Sequence, residues 1–192
     1  DFVGHGSVAG RTTLGYEETQ ELLAAIKGLA TRTDIDSSRF GVWGTDLGAY
    51  ATLAAATQEP RIQAIAVDSA YNQPSDFLAI QVSHTGLGAL PLVKTFCLFG
   101  FRMVNYQYRA VPPIMGRLGR LQGIPKLFIE STDKPELDET TLHMFENAPP
   151  PKDHLVDSMT YAEMSDEGRR SYENRVVSFF LQYLPPAGQP AQ

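Results

Sequence analysis

A ten-residue stretch, Gly41–Tyr50, places a carboxylate at the centre of a turn built from small residues. Gly44 and Gly48 lie two positions before and after Asp46. Small residues at these positions let a chain bend sharply from a strand into a helix, and the bend presents the central side chain above the sheet edge. A serine there would be an acyl-transfer nucleophile, whereas a carboxylate attacks carbon and forms an ester. The stretch therefore predicts a nucleophile position that is occupied by an acid.

Two further aspartates follow segments with strand character. Asp68 comes after an apolar run that begins at Ile62, and Asp133 comes after another that begins at Lys126. Ligand and catalytic sites of parallel sheets lie beyond the carboxyl ends of the strands. We therefore expect Asp46, Asp68 and Asp133 to lie at one edge of a sheet.

The elements that position these residues are short buried strands alternating with amphipathic helices. The predicted strands are 39–43, 62–67, 126–130 and 154–159, and the predicted helices are 16–30, 47–57, 72–84, 138–147 and 172–184. This alternation predicts an α/β fold with a mainly parallel sheet and helices on both faces. We expect one domain over 1–184, with an irregular cap-like insertion at about 85–120 and a tail at 185–192.

Charge and cysteine content exclude some classes of function. The chain has 16 basic and 22 acidic residues, a net charge of -6, so it offers no broad basic surface for nucleic acid. Cys97 is the only cysteine, which excludes an internal disulfide and a cysteine-based metal cluster. Because it lies in an apolar run, we expect a buried structural thiol. No cofactor or metal site is indicated.

The most apolar stretch, 87–104, is interrupted by Pro91, Lys94 and Arg102. A membrane-spanning helix needs about 18 or more nearly uninterrupted apolar residues. The stretch therefore predicts a core, lid or interface segment and no membrane span. No signal peptide is visible, and the sequence leaves the compartment open.

Four segments together resemble an α/β-hydrolase of the serine esterase and aminopeptidase-like branch. They are the D-x-x-G-H-G pattern at 1–6, the Thr-Leu-Gly-Tyr run at 13–16, the elbow region 35–48 and Asp-Ser-Ala at 68–70. The resemblance covers nearly the whole chain and corresponds to the later part of that fold. It implies a nucleophile at Asp46, a triad acid at Asp133, an oxyanion-hole amide at Leu47 and a histidine after the last strand.

The chain departs from this family pattern at the nucleophile and at the base. Asp46 replaces the serine, and no histidine follows His154. The loop 160–167 carries Tyr161 at the approximate position of the missing histidine. A strand beginning at His154 would place this ring roughly 16 Å from the catalytic edge. The sequence therefore predicts a triad without its general base.

The other three histidines offer no substitute. His5 belongs to the glycine-rich loop 1–6, where the resemblance implies a role in loop structure more often than one as a base. His84 and His143 fall in predicted helices without carboxylates at metal-ligand spacing. We expect packing or surface roles for both.

The resemblance also implies strands that precede the position of Asp1. One oxyanion-hole amide of the family normally comes from that part of the fold. Without these strands a central strand would keep an unpaired edge. The sequence thus predicts that the first strands of the fold are absent from this chain, so that it is a fragment or is completed by another segment or chain.

Three functions remain open at this stage. The first is a degenerate hydrolase with little or no serine-type ester or peptide hydrolysis, with room for a small-molecule ligand in its pocket. The second is a dehalogenase-like or epoxide-hydrolase-like enzyme that uses Asp46 as the nucleophile. The third is a non-enzymatic binding or homo-oligomerisation module that uses the apolar stretch 87–104.

Overall fold

The computed structural model describes residues 1–86 and 90–185, and its centre is a four-stranded sheet. The strands are β1 (Phe40–Thr45), β2 (Ile62–Asp68), β3 (Lys126–Ser131) and β4 (Lys152–Asp157). They lie in the order β1-β2-β3-β4, and each neighbouring pair is parallel. The predicted parallel sheet is confirmed.

Six helices in the described residues connect and cover these strands. They are α1 (Tyr16–Leu29), α2 (Leu47–Ala56), α3 (Pro74–Ser83), α4 (Pro91–Val104), α5 (Pro135–Asn147) and α6 (Asp166–Tyr183), with 3-10 turns at Tyr106–Tyr108 and Met115–Leu121. Helices α3, α4 and α5 begin with proline, whose fixed φ suits the first helical turn. The Ser165 hydroxyl accepts the N–H of Gly168 and caps α6.

Side chains of β2 alternate between two cores because successive residues of a strand point to opposite faces. Ile65 and Val67 pack with Leu53 of α2 on one face. Ala64 and Ala66 pack on the other face against α6. The sheet is therefore covered by helices on both faces, as the alternation of elements predicts.

Several element boundaries differ from the sequence predictions, among them the starts of β4, α5 and α6. β4 begins at Lys152, so His154 is its third residue and not its first. α5 begins at Pro135 and not at Asp138. α6 begins at Asp166 and not at Tyr172. Its first turns are polar and show no apolar periodicity, so the sequence pattern did not reveal them.

The segment predicted to be irregular, 85–120, contains the 14-residue helix α4 and both 3-10 turns, while residues 87–89 lie outside the described ranges. Of the predicted tail at 185–192, only Pro185 lies within them. The prediction of a buried Cys97 was wrong, because this residue is exposed on α4. Leu98 and Phe101 are half-buried on one side of the helix. Phe96, the apolar residue directly before Cys97, is exposed like Cys97 itself.

Helix α4 carries a stripe of exposed apolar side chains at helical spacing. Leu92 and Phe96 are each 71% exposed, Phe99 is 62% exposed and Met103 is 59% exposed. A helix that is apolar on two opposite faces usually contacts something on both. Among the described helices, none combines the length and apolar character that crossing a membrane requires.

Candidate active site at the carboxyl edge of the sheet

The chain turns from β1 into α2 at Asp46, whose φ of 49° is unusual for a residue other than glycine. The Asp46 N–H donates to the carbonyl oxygen of Asp68 at 2.9 Å, and the Tyr50 N–H donates to the Asp46 carbonyl at 3.1 Å. A Cβ on Gly44 would lie 2.3 Å from the carbonyl carbon and oxygen of Gly48. The bend therefore requires glycine at 44, whereas a Cβ on Gly48 would meet nothing within 4 Å.

The Asp46 carboxylate is bound by Lys134. The Lys134 Nζ lies 2.8 Å from Oδ1 and 2.8 Å from Oδ2 of Asp46. The Lys134 side chain is 35% exposed and that of Asp46 is 32% exposed. One amine thus contacts both oxygens of the carboxylate, and either oxygen would be the attacking atom if Asp46 were a nucleophile.

Lys134 is a residue of the candidate site that the sequence analysis did not identify. It follows Asp133 directly and occupies the N-cap position of α5. It belongs to the same strand-to-helix connection that carries the expected triad acid, so its place at the sheet edge was available from the sequence.

Asp133 binds the loop that follows β4. Its carboxylate accepts the Thr160 N–H at 3.0 Å and 2.9 Å and the Thr160 hydroxyl at 3.0 Å. Asp133 therefore fixes the loop in which the resemblance implies a histidine, and its acceptor oxygens are used by that loop.

Tyr161, in the same loop, contacts groups other than Asp46. Its hydroxyl donates to Glu173 at 2.5 Å, and its ring meets the Trp43 ring edge-on at 5.2 Å. These contacts place Tyr161 against the core on the α6 side of the sheet. The structure brings Asp46, Asp133 and Lys134 to one edge, and it directs Tyr161 to different partners.

Asp68, at the end of β2, is a buried carboxylate surrounded by hydroxyl groups. It is 1% exposed and accepts from Ser69 at 2.8 Å, from Ser131 at 2.9 Å and from Tyr172 at 2.7 Å. Burial raises the pKa of Asp68 above its ordinary value, three hydroxyl donors oppose that rise, and the charge of Asp46 adds to it. This network ties β2, β3 and α6 together beneath Asp46.

Asp138 adds a further carboxyl group to the same edge. It accepts the Ser131 N–H at 2.9 Å. Burial raises the pKa of Asp138 to about 6, and the nearby charges of Glu130, Asp133 and Asp68 act in the same direction. The edge is therefore acidic, and Lys134 is the cation that contacts Asp46 in it.

No imidazole forms a hydrogen bond or ion pair with Asp46 among the described residues. His154 contacts Glu130 at 2.7 Å and stacks on the Phe145 ring at 4.8 Å. His84 faces Glu136 at 3.2 Å. The remaining two histidines, His5 and His143, have exposed side chains.

Leu47 is the first residue of α2, and its N–H is one of the first-turn amides that have no partner within the helix. This is the position from which an oxyanion-hole amide points in a nucleophile elbow.

Within residues 1–86 and 90–185, no group of three or more histidine, cysteine, aspartate or glutamate side chains is arranged to hold a metal ion.

Comparison with known proteins links part of this arrangement to a family. The model of the prolyl oligopeptidase family, Peptidase S9, matches residues 7–73, about a third of the chain. The matched region contains β1, the bend at Asp46 and β2. A search of curated proteins found no match.

Solved structures resemble most of the chain at low sequence identity. The alpha/beta hydrolase GrgF from Penicillium sp. sh18 is 15% identical, with a TM-score of 0.64 over 95% of this chain and 78% of that chain. The esterase Pf2001 from Pyrococcus furiosus is 19% identical, with a TM-score of 0.61 over 95% of this chain and 69% of that chain. A hypothetical protein from Pseudomonas aeruginosa is 15% identical, with a TM-score of 0.60 over 86% and 67%.

Proposed function

We propose that this chain, which has the α/β-hydrolase fold, is a degenerate hydrolase with little or no serine-type ester or peptide hydrolysis. One observation carries the proposal: the side chain at the apex of the elbow is a carboxylate whose two oxygens are both held by Lys134. Acyl transfer at this position needs a hydroxyl and a base that removes its proton. Asp46 supplies no hydroxyl.

The missing base strengthens the proposal. The Lys134 Nζ donates to Asp46, and an ammonium group has no lone pair with which to accept a proton. The Asp133 oxygens accept from Thr160, so this acid orients a loop and not an imidazole. What remains of the catalytic apparatus is the bend and the Leu47 amide. Binding and an oxyanion hole alone leave a small residual rate in hydrolases that lack their triads.

The test is an assay of short nitrophenyl esters and aminoacyl substrates with the unchanged chain, with Asp46→Asn and with Asp46→Ser. We expect all three to stay near the buffer rate. Turnover in the unchanged chain that disappears in Asp46→Asn would refute the proposal. Turnover in Asp46→Ser alone would show that a base for a hydroxyl at the apex is present, so that the unchanged chain lacks only the nucleophile.

A second function uses Asp46 itself as the nucleophile on an alkyl halide or epoxide. The 32% exposure of the Asp46 side chain favours it, because a substrate carbon can approach an open carboxylate. Attack would form an ester at Asp46 with departure of halide, or with opening of the epoxide ring. Hydrolysis of that ester needs an activated water, and no imidazole contacts Asp46 in the described chain.

Intact mass after incubation with an alkyl halide distinguishes this second function from the first. A single stable adduct that maps to Asp46 would support a nucleophile that reacts once, and Asp46→Asn should not form it. Continuous halide release at many equivalents per protein would establish a dehalogenase and would displace the degenerate-hydrolase proposal.

A third function is self-association through α4. Leu92, Phe96, Phe99 and Met103 are exposed at spacings of four, three and four residues, which is the spacing of helix-pairing stripes. The same stripe on two copies is self-complementary when the helices pair antiparallel about a two-fold axis. Sedimentation should show a dimer that Phe96→Glu with Phe99→Glu converts to a monomer. A monomer at high micromolar concentration would exclude this function.

A further inference from the structure

A cavity of about 330 Å³ lies on the α1 and α2 side of the molecule, away from Asp46. Its walls include the rings of Tyr16, Tyr50 and Tyr108, and two cationic side chains, Arg117 and Arg120. Asp46 and Lys134 do not line it. The cavity is therefore separate from the candidate active site, although Tyr50 lies one helical turn after Asp46.

Arg117 is a buried cation without an anionic partner. The residue is 5% exposed, and its Nε and Nη2 have no hydrogen-bond acceptor. No carboxylate of the described chain lies within ion-pair distance of its guanidinium. Arginine is rarely buried unless it is paired, because leaving a charge desolvated and unmatched costs free energy.

The two unpaired nitrogens of Arg117 are arranged to bind a carboxylate. Nε and Nη2 lie along one edge of the planar guanidinium and present two parallel N–H bonds, the arrangement that binds both oxygens of a carboxylate. The guanidinium also contacts the hydroxyl of Tyr50. Burial raises the pKa of Tyr50 to about 12, so this hydroxyl remains a neutral group and does not balance the charge of Arg117.

The surroundings of the cavity favour one anionic head on an apolar body. Aromatic rings and the side chains of Ala54, Val111 and Pro112 provide apolar wall, and Arg120 is an exposed second cation among the lining residues. Asp76, at the start of α3, raises the pKa values of Tyr16 and Tyr50 by its charge but forms no ion pair with Arg117. Neither Arg117 nor Arg120 forms an ion pair in the described part of the chain.

We propose that this cavity binds a small organic carboxylate, with Arg117 as the bidentate partner of the carboxylate and Arg120 as a second cation beside it. The apolar body of the ligand packs against the tyrosine rings. Because Nε and Nη2 are closed to solvent in the ligand-free chain, binding requires the Arg117 side chain to turn towards the cavity. The inference does not depend on the proposed loss of hydrolysis, since it uses different residues.

Titration calorimetry with phenylacetate tests the proposal, with the neutral phenylacetamide as a matched ligand and inorganic phosphate as the alternative anion. We expect phenylacetate to bind, phenylacetamide to bind at least tenfold more weakly, and phosphate to bind more weakly than phenylacetate. Arg117→Gln should weaken phenylacetate binding at least tenfold. Arg120→Gln, which changes an exposed residue and so should fold normally, should weaken it by a smaller factor.

Arg109→Gln is the matched control, because it removes the same charge from an arginine that packs on Tyr106 outside the cavity. It should change phenylacetate affinity by less than twofold. Absence of phenylacetate binding, equal binding of phenylacetamide, or equal loss in Arg109→Gln and Arg117→Gln would each overturn the proposal. Tighter binding of phosphate than of phenylacetate would overturn the assignment of an organic carboxylate. If Arg117→Gln does not fold, the Arg120→Gln and Arg109→Gln comparison decides the matter alone.

Discussion

Two cations near helix α2 show opposite solutions to the same physical problem. Lys134, beyond the start of the helix, is about a third exposed and is matched to both oxygens of Asp46. Arg117, beside Tyr50 one turn further along, is buried, and two of its nitrogens are unmatched. The first cation is satisfied within the chain, and the second is not.

The difference indicates at which of the two positions a ligand would gain more binding free energy. A ligand at Asp46 must compete with Lys134 for the carboxylate, so binding or attack there starts by breaking an existing contact. An anion at Arg117 makes contacts that the ligand-free chain lacks, and it relieves a desolvated charge. The position with the shape of a nucleophile elbow therefore has its charge matched within the chain, and the position without such a shape has unmatched donors.

The largest expected effect comes from removing the bend that holds Asp46 against Lys134. Gly44→Ala would place a Cβ 2.3 Å from the Gly48 carbonyl, which is backbone and cannot turn aside. We expect the free energy of unfolding to fall by about 3 kcal/mol or more. Chemical denaturation measures this loss.

Gly48→Ala is the control for that experiment, because its Cβ would meet nothing within 4 Å. It should keep the stability of the unchanged chain within about 1 kcal/mol. Equal effects of the two substitutions would show that the close approach at Gly44 is not a constraint on the elbow.

Arg117→Met tests the other half of the comparison. Replacing an unpaired buried charge with an apolar side chain of similar length should raise the free energy of unfolding by about 1–2 kcal/mol in the absence of ligand. Thermal unfolding in a buffer without carboxylates provides the measurement. A clear loss of stability would mean that the contact between Arg117 and Tyr50 matters more than the missing anion.

The stability of the edge around Lys134 should depend on pH, because this edge carries more carboxyl groups than cations. The pKa of Asp138 is raised in the folded chain to about 6, from an ordinary 3.8. Protonation of Asp138 therefore stabilises the fold, and this contribution is fully present below about pH 4 and is lost as pH rises through about 6. Between pH 7 and 5 we expect Asp138 to add about 1 kcal/mol to the free energy of unfolding.

Asp138→Asn isolates this contribution, since the amide oxygen can still accept the Ser131 N–H. The difference in unfolding free energy between the unchanged chain and the variant should change with pH over this window and become constant above about pH 7. A difference that does not vary with pH would contradict the raised pKa.

The smallest effect is expected at Lys134 itself. Lys134→Met leaves Asp46 unpaired, but the carboxylate is open to water, so the cost should be below about 1 kcal/mol. Denaturation at low and at high salt measures it, and the small difference should shrink as salt screens the pair. A loss of 3 kcal/mol would mean that Lys134 is as deeply coupled to the fold as a buried cation.

Much of the fold follows from local patterns that the sequence displays. Apolar strands followed by small residues and by helices predicted the parallel sheet and the position of Asp46 at its edge, because the turn from β1 to α2 is encoded within ten consecutive residues. The predicted start of a helix was wrong where the helix begins with polar residues. The first turns of α6 are an example, since Ser165 caps a segment that has no apolar face.

The contacts of the site were harder to predict because they join distant parts of the chain. Lys134 and Asp46 are 88 residues apart, and Tyr172 and Asp68 are 104 residues apart. Sequence spacing contains no signal for such pairs. The same limit applies to Cys97, whose apolar neighbours suggested burial although its side of α4 is exposed.

The position of β1 at the outer edge of the described sheet has one more consequence. This strand pairs only with β2 among the described strands, and it is the strand from which the chain bends at Asp46. Peptide groups on its open side exchange hydrogens with solvent more readily than those of β2, which is bonded on both sides. The strand bearing the apex should consequently fray before its neighbour β2, and its fluctuations would help to decide how often Asp46 and Lys134 part.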